Sequence, residues 1–205
     1  MKITSSSKQE IISLPVPIYS SIKIADAIDK DGIEYAMFVG IDEKYVQQLK
    51  ELSLDKSDTA IQNNTGDRRR FGEGSYEEWY KKNRTPFVLI DKQKDVLAAI
   101  IWFGPKSLGK KSLKFGEESK DVIQNEWHTV VWRCYPMYRG RGLMKAFSQY
   151  VMGVYKEQFL ENIKFWAGMD NRNDAMVSLS LKLGFKADME NSDLKSNWLV
   201  VVKDA

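Results

Sequence analysis

The pattern of apolar and polar residues predicts a chain in which strands and helices alternate. Runs rich in β-branched and aromatic residues are typical of strands, and they lie at 33–40, 87–90, 96–103, 129–132, 163–169 and 198–202. Apolar residues at spacings of three and four predict amphipathic helices, one carrying Tyr45, Val46, Leu49 and Leu52, and another carrying Leu143, Phe147, Tyr150, Val151 and Val154. The order strand, loop, helix, strand between 129 and 169 predicts a βαβ unit with parallel strands.

The N-terminal part of the chain gives weaker signals. Ile11 to Tyr19 is apolar but contains two prolines, so it is either an edge strand or a packed arm. Ser20 and Ser21 then predict the cap of a short helix that ends at Ile28, before the turn Lys30-Asp31-Gly32.

Two polar segments separate the predicted strands. Asp55 to Gly74 is polar and glycine-containing, which is typical of a mobile surface loop. Its run Arg68-Arg69-Arg70 is either a solvated turn or a site that attracts an acidic acceptor or phosphates. Gly104 to Asn125 is a second long, charged connection without strong periodicity.

The joint between the strand at 129–132 and the helix that follows it contains the sequence Arg139-Gly140-Arg141-Gly142. A helix that starts there presents unpaired N–H groups and the positive end of its dipole. Glycines let an anion approach the backbone, and we expect the two arginines to add positive charge. A Walker loop is excluded by spacing, and a dinucleotide fingerprint is excluded because Lys145 replaces its third glycine.

This joint resembles the acyl-CoA-binding segment of the GNAT (GCN5-related N-acetyltransferase) superfamily, [R/Q]-x-x-G-x-[G/A]. The residues 139–144 fit it at every fixed position except Met144, which replaces a small residue. The residues 173–185 are similar to the superfamily's second cofactor segment, N-x-x-A-x-x-L-Y-x-K-L-G-F, and lie about 30 residues downstream. There Met176 replaces alanine, Ser180 replaces tyrosine, and Asn173 is expected to cap the helix.

The resemblance implies a fold and a set of cofactor contacts. The implied fold is a mixed α/β, mostly antiparallel central sheet flanked by helices, with a parallel βαβ acyl-CoA-binding unit. Acetyl-CoA would be the co-substrate, without a metal. Its pantetheine arm would lie on main-chain groups of one strand, and its pyrophosphate on the loop. The implied cofactor-binding residues are Trp132, Cys134, Tyr135, Arg139, Gly140, Arg141, Gly142, Leu143, Met144 and Asn173.

Catalysis by such an enzyme requires a proton acceptor, because a primary amine attacks a thioester only when it is neutral. His128, the only histidine, is the candidate base. Glu126, two residues earlier on the same expected face, is the substitute, and a hydrogen-bonded strand residue without a catalytic part is the alternative for His128. Ser180 stands where the superfamily's tyrosine would protonate the leaving thiolate.

Cys134 suggests another mechanism, in which an acyl-cysteine is formed. Six residues of extended strand place it roughly 20 Å from His128, so we expect a buried, unreactive thiol.

The acceptor side is predicted from a short helix. Ser75 to Glu78 has the spacing of a capping box, and Tyr76, Trp79 and Tyr80 follow as candidate acceptor contacts or core residues. The acceptor remains open among small amines, protein N-termini and lysine side chains.

Composition agrees with one domain. The 205 residues are 43% hydrophobic with a net charge of +3, which is too small to indicate a nucleic-acid partner. With no signal peptide in Met1–Glu10 and no long apolar run, we expect a cytoplasmic protein, a monomer or homodimer, that does not contact membranes. The expected divisions are an N-terminal extension (1–32), acceptor-side helices and loop (33–85) and an acyl-CoA-binding core (86–205).

The sequence therefore predicts an N-acetyltransferase that transfers the acetyl group of acetyl-CoA to a primary amine in a ternary complex. The alternative is a catalytically weak GNAT-fold protein that binds CoA as a sensor or interaction module. A nucleic-acid-binding protein that uses 68–70 and 139–142 is a third, disfavoured possibility.

Overall fold

One continuous sheet runs through the part of the chain that the structure describes. The structure is a computed structural model and describes residues 1–6, 13–109, 126–159 and 163–204. The strands in these ranges are β1 Lys2–Ser5, β2 Ser21–Ile28, β3 Glu34–Gly40, β4 Thr85–Asp91, β5 Val96–Pro105, β6 Trp127–Cys134, β7 Lys164–Asp170, β8 Lys186–Ala187 and β9 Trp198–Lys203.

The strands lie in the order β1-β2-β3-β4-β5-β6-β7-β9-β8. Every neighbouring pair is antiparallel except β6 and β7, which are parallel. The parallel pair is short, because only Trp127 to Thr129 of β6 are in register with Lys164 to Trp166 of β7. Beyond Thr129, β6 continues beside β5 while β7 continues beside β9.

Helices cover both faces of the sheet. They are α1 Glu43–Leu54, α2 Thr59–Asn64, a π-helical turn Arg68–Gly72, α3 Tyr76–Tyr80, α4 Leu143–Lys156 and α5 Asp174–Lys182, with 3₁₀ turns at Pro136–Tyr138 and Leu194–Ser196. The largest buried cluster lies under α4, where Phe147 and Val151 are fully buried. A second cluster lies under α1, the π-helical turn and α3 on the opposite face, and is rich in aromatic rings. Full burial of one such side chain contributes about 2 kcal/mol.

The central elements agree with the sequence-based predictions. β4 and β5 contain the strands predicted at 87–90 and 96–103 and pair as a hairpin, and β6, α4 and β7 form the predicted parallel βαβ unit. The mixed, mostly antiparallel sheet flanked by helices is confirmed. Ser75 caps α3 by accepting from the Glu78 N–H at 3.2 Å, and Asn173 caps α5 by accepting from the Met176 N–H at 3.3 Å.

The predicted helix at 20–28 is wrong. These residues form β2, which pairs with β3 and carries the buried residues Ile24, Ala25 and Ala27. A shift in register between Lys23 and Ala25 interrupts the alternation that would have marked a strand. Residues 13–19 form no strand, and Val16 is buried as in a packed arm.

The mobile loop predicted at 55–74 is also wrong, since this segment contains α2 and the π-helical turn. Two of its three aspartates, Asp58 and Asp67, point inward and are almost completely buried. Most of the charged connection at 104–125, namely 110–125, lies outside the described residues, as do Ile11 and Ile12.

Candidate acyl-CoA site

The turn between β6 and α4 presents its main chain. Gly140 and Gly142 have φ angles of +73° and +77°, a backbone region that L-residues with a side chain rarely occupy. A Cβ added at either position would meet nothing within 4 Å, so the backbone conformation, not crowding, requires glycine there. Gly142 is the N-cap of α4, whose first N–H groups have no partner within the helix. This turn is therefore suited to an anion.

The two arginines of the turn are engaged by carboxylates. The Arg139 guanidinium donates to both oxygens of Asp58 at 2.8 and 2.5 Å. Arg141 Nε donates to Asp29 at 2.9 Å, and its Nη2 lies 2.9 Å from Asp31. The expectation that both arginines simply add positive charge to the loop is thus corrected, because each charge is balanced by a neighbouring carboxylate.

Asp29 illustrates how strongly these contacts hold a carboxylate ionised. Burial by itself would raise the pKa of Asp29, but hydrogen bonds from Arg141, from the Ile33 N–H, from Tyr35 and from the Asp31 N–H outweigh it. The net effect lowers the pKa to about 2. Asp29 therefore remains an anion, and a partner for Arg141, throughout the physiological pH range.

Where β6 and β7 separate, beyond Thr129, main-chain groups of β6 have no partner on β7. The Tyr135 N–H donates to the Ala98 carbonyl of β5 at 3.1 Å. Because neighbouring residues on a strand direct their peptide groups to opposite sides, the peptide groups of Trp132 and Cys134 face β7. Their carbonyls accept from the Arg133 guanidinium at 2.7 Å and from Arg139 Nε at 2.8 Å. The Tyr135 carbonyl accepts from the Tyr138 N–H at 2.9 Å, so the main chain of Tyr135 does not face the gap.

The candidate base His128 is enclosed on the α4 face of the sheet. Its Nδ1 lies 2.8 Å from the Tyr155 hydroxyl, in hydrogen-bonding contact, and its ring packs edge-on against Phe159. Burial, helped by the positive charge of Arg84, lowers the pKa of His128 to about 4. These contacts match the alternative role of a hydrogen-bonded strand residue.

Glu126 and Ser180 lie apart from His128. The Glu126 carboxylate pairs with the Lys164 ammonium at 2.9 Å, and this ammonium lies over the Trp127 ring. Trp127 and His128 are consecutive on β6 and point to opposite faces, whereas Glu126 precedes the strand, so its placement on the His128 face stays a prediction. The Ser180 hydroxyl is fully buried and donates to the Val177 carbonyl at 2.8 Å. Among the described residues, no hydrogen bond joins these three candidates.

The predicted acceptor residues have different surroundings. Trp79 is buried and packs edge-on against Phe71 and Trp102. The Tyr80 hydroxyl donates to the Val16 carbonyl. Tyr76 is also buried, but it lines a cleft of about 680 Å³ between α1 and α3. Only Tyr76 of the three therefore lines this cleft.

Sequence reasoning missed the buried aspartates around the turn. Asp58 precedes α2 and Asp91 begins the β4–β5 turn, and both positions favour aspartate for local reasons. These local signals were visible in the sequence. Their pairing with residues of the β6–α4 turn was not, because the partners are far apart in the chain.

Among the described residues, no group of three or more histidine, cysteine, aspartate or glutamate side chains is arranged to hold a metal ion. None of their helices is both long and apolar enough to cross a membrane.

Comparison with known proteins gives a likeness of structure without a likeness of sequence. No protein-family model matches the chain, and no curated protein sequence is significantly similar to it. The GNAT domain of S. lividans PAT is 14% identical over 88% of this chain and 96% of its own, with a TM-score of 0.64. RimL, a ribosomal L7/L12 α-N-protein acetyltransferase, is 14% identical over 94% and 99%, with a TM-score of 0.58. A GNAT-family acetyltransferase from Streptococcus pneumoniae is 12% identical over 82% and 98%, with a TM-score of 0.52.

Proposed function

Since this chain has the fold of the GNAT superfamily, we propose that it is an acyl-CoA-dependent N-acyltransferase that transfers the acetyl group of acetyl-CoA to a primary amine. The observation that carries this proposal is the combination of two features at one end of β6. The turn that follows β6 leaves main-chain N–H groups open, and β6 and β7 part after three residue pairs.

In this proposal the diphosphate binds the N–H groups between Gly140 and Met144, at the positive end of α4. The pantetheine arm lies between the parted strands, on the N–H groups of Trp132 and Cys134, because their carbonyls already accept from Arg133 and Arg139. Asn173 uses its side-chain oxygen to cap α5, which leaves its side-chain NH₂ group for the cofactor. Tyr135 serves by its packing, because its main chain is already bonded to Ala98 and Tyr138.

The transfer forms a C–N bond and breaks the C–S bond of the thioester. The amine loses one proton, and the electron pair of the broken bond leaves on the CoA sulfur, a thiolate with an ordinary pKa near 8.5. A proton acceptor with a pKa of about 4 is poorly matched to this step, so His128 is a weak candidate base. Glu126 is a carboxylate that is already paired with the Lys164 ammonium, so it is no better matched.

Coenzyme A binding tests the proposal directly. We expect wild-type protein to bind CoA in calorimetry and Gly142→Glu to lose binding, because glutamate opposes the φ of +77° and places a carboxylate beside the phosphates. Gly153→Glu is the matched control, since Gly153 is exposed in the last turn of α4, far from the β6–α4 turn, with open space around it. If wild-type protein does not bind CoA, the proposal is wrong.

A second candidate function follows from Ser180. Its hydroxyl is buried and already donates to Val177, so it does not offer a proton to a leaving thiolate. This favours a CoA-binding protein with little catalytic activity as the alternative. Release of free CoA thiol from acetyl-CoA with a panel of alkyl, aryl and peptide amines separates the two. Binding without release on any amine would support the alternative.

A further inference from the structure

Asp58 connects α2 to the turn between β6 and α4. Its side chain is 2% exposed. One oxygen accepts from the Ile61 N–H at 3.2 Å, as the N-cap of α2, and both oxygens accept from the Arg139 guanidinium. Arg139 Nε also donates to the Cys134 carbonyl at the end of β6. A single guanidinium therefore ties the turn to two other elements.

Asp29 makes the equivalent connection from the end of β2. One of its oxygens accepts from the N–H groups of Asp31 and Ile33 at 2.9 and 3.0 Å. The other accepts from the Tyr35 hydroxyl and from Arg141 Nε, both at 2.9 Å. The carboxylate is fully buried, so Arg141 supplies the charge that compensates it.

Asp91 completes the set from the end of β4. One oxygen accepts from the Gln93 and Lys94 N–H groups, both at 3.0 Å, and the other accepts from the Tyr138 hydroxyl at 2.9 Å. All three aspartates therefore follow one pattern. One or two backbone N–H groups that follow each aspartate in the chain donate to one of its oxygens, and a side chain of the β6–α4 turn is held by the same carboxylate.

This pattern decides what the arginines do when an anion binds. If Arg139 moved toward a diphosphate, it would leave Asp58 buried without a counter-ion, which is strongly unfavourable. We infer that Arg139 and Arg141 fix the conformation of the turn and do not bind the diphosphate, which is held by main-chain N–H groups alone. Asp58 and Asp29, which hold these two arginines in place, are then positioning residues for acyl-CoA. This inference rests on the proposed function, and it gives the turn a fixed shape before the ligand arrives.

The direction in which Asp58→Asn changes the affinity for CoA tests this inference. We expect Asp58→Asn to weaken CoA binding at least tenfold in calorimetry, because the turn loses its support. If Arg139 were instead a phosphate ligand that Asp58 holds back, Asp58→Asn would free it and CoA would bind more tightly. Tighter binding would overturn the inference. Asp26→Asn is the matched control, since Asp26 forms an exposed ion pair with Lys23 on β2, and its CoA affinity should stay within twofold of wild type.

Arg139→Gln supplies the second measurement. We expect it to weaken CoA binding about as much as Asp58→Asn. The double variant should bind CoA no more weakly than the weaker-binding single variant, because both changes break the same Asp58–Arg139 ion pair. The salt dependence of CoA affinity should be the same in Arg139→Gln and wild type, since no direct charge contact is lost. A smaller salt dependence in Arg139→Gln would contradict the inference.

Hydrogen exchange of the free protein keeps this test separate from the proposed function. The amides of 140–144 should exchange at least tenfold faster in Asp58→Asn than in wild type, with no CoA present. If wild-type protein failed to bind CoA, the proposed function would be wrong. Faster exchange in Asp58→Asn would still show that the Asp58–Arg139 ion pair fixes the turn. Unchanged exchange would show that Asp58 does not position the turn.

Discussion

Cys134 shows at the residue scale how burial decides the reactivity of a nucleophile. Burial raises the pKa of its thiol to about 11, although the positive charge of Arg139 opposes the rise. At pH 8 the folded protein would hold roughly one thiolate per thousand, against roughly one in four for a free cysteine. The thiolate is the reactive form, so this residue is poorly suited to form an acyl-cysteine.

We expect Cys134 to react with iodoacetamide at pH 8 at least tenfold more slowly in the folded protein than in urea-unfolded protein. Mass spectrometry of timed samples measures both rates. Equal rates would mean that the thiol is accessible and ionised, and the acyl-cysteine mechanism would have to be considered again.

His128 links burial to stability in acid. The pKa of about 4 in the folded protein lies below the ordinary value near 6.5. As the pH falls from 6.5 to 4, the unfolded chain binds a proton here and the folded chain does not, so this residue lowers stability over that window. We therefore expect the free energy of unfolding of His128→Gln, relative to that of wild type, to rise by about 2 kcal/mol when the pH is lowered from 7 to 4.5.

Urea denaturation at both pH values measures this difference. The other titrating groups are common to the two proteins, so their contributions to the pH dependence of stability cancel when the variant is compared with wild type. A difference that does not change with pH would contradict a buried, neutral histidine at this position.

Among the elements, β2 shows why local propensity misled the prediction at 20–28. The segment is rich in alanine and isoleucine, and its buried residues Ile24, Ala25 and Ala27 do not alternate along the chain. Pairing with β3 overrides the weak helix preference, since every residue of β2 except Ile24 gains a partner on β3. The nine residues of the segment by themselves do not carry that information.

The 55–74 segment was misjudged for a related reason. Its polar composition is typical of a loop, but Asp67 is completely enclosed and accepts from Arg133 and Arg70. The arginines hold the pKa of Asp67 below its ordinary value, although burial opposes them. A polar residue that finds a charged partner can therefore sit in a core, which composition alone does not reveal.

We expect Asp67→Asn to destabilise the protein by about 3 kcal/mol, because Arg133 would lose its buried counter-ion. Glu73→Gln is the control, since Glu73 pairs with Arg68 at the surface, where both side chains are about half exposed. Loss of this surface ion pair should change the free energy of unfolding by less than about 1 kcal/mol. Thermal and urea unfolding of the two variants measures both values, and equal losses would contradict the buried ion pair.

At the scale of the whole molecule, the N-terminal strands belong to the same sheet as the βαβ unit. β2 supplies core residues under α4, and Asp29 at its end holds Arg141. β1, in contrast, is an edge strand whose residues are half-buried or exposed. The two N-terminal strands should therefore differ greatly in their importance for folding.

We expect deletion of 1–32 to abolish cooperative thermal unfolding, because it removes β2 and leaves Arg141 without Asp29. Deletion of 1–6 removes only β1 and should lower Tm by less than about 5 °C. Circular dichroism melting curves distinguish the two. A cooperative melt after deletion of 1–32 would show that β2 is dispensable for the core.

The sequence alone determined the features that depend on neighbouring residues. The β6–turn–α4–β7 unit follows from apolar periodicity, the accessible backbone of the turn from Gly140 and Gly142, and the caps at Ser75 and Asn173 from a short side chain beside a helix start. These constraints act within a few residues, so a single chain displays them.

Only the tertiary structure decided which charges meet. Asp58 and Arg139 are 81 residues apart, and Asp29 and Arg141 are 112 residues apart. Their contacts depend on strand order, on register and on how α2 packs, and none of these leaves a periodic trace in the sequence. The sequence therefore showed where an anion could bind, while the fold decided that the arginines beside it are already bound to buried aspartates.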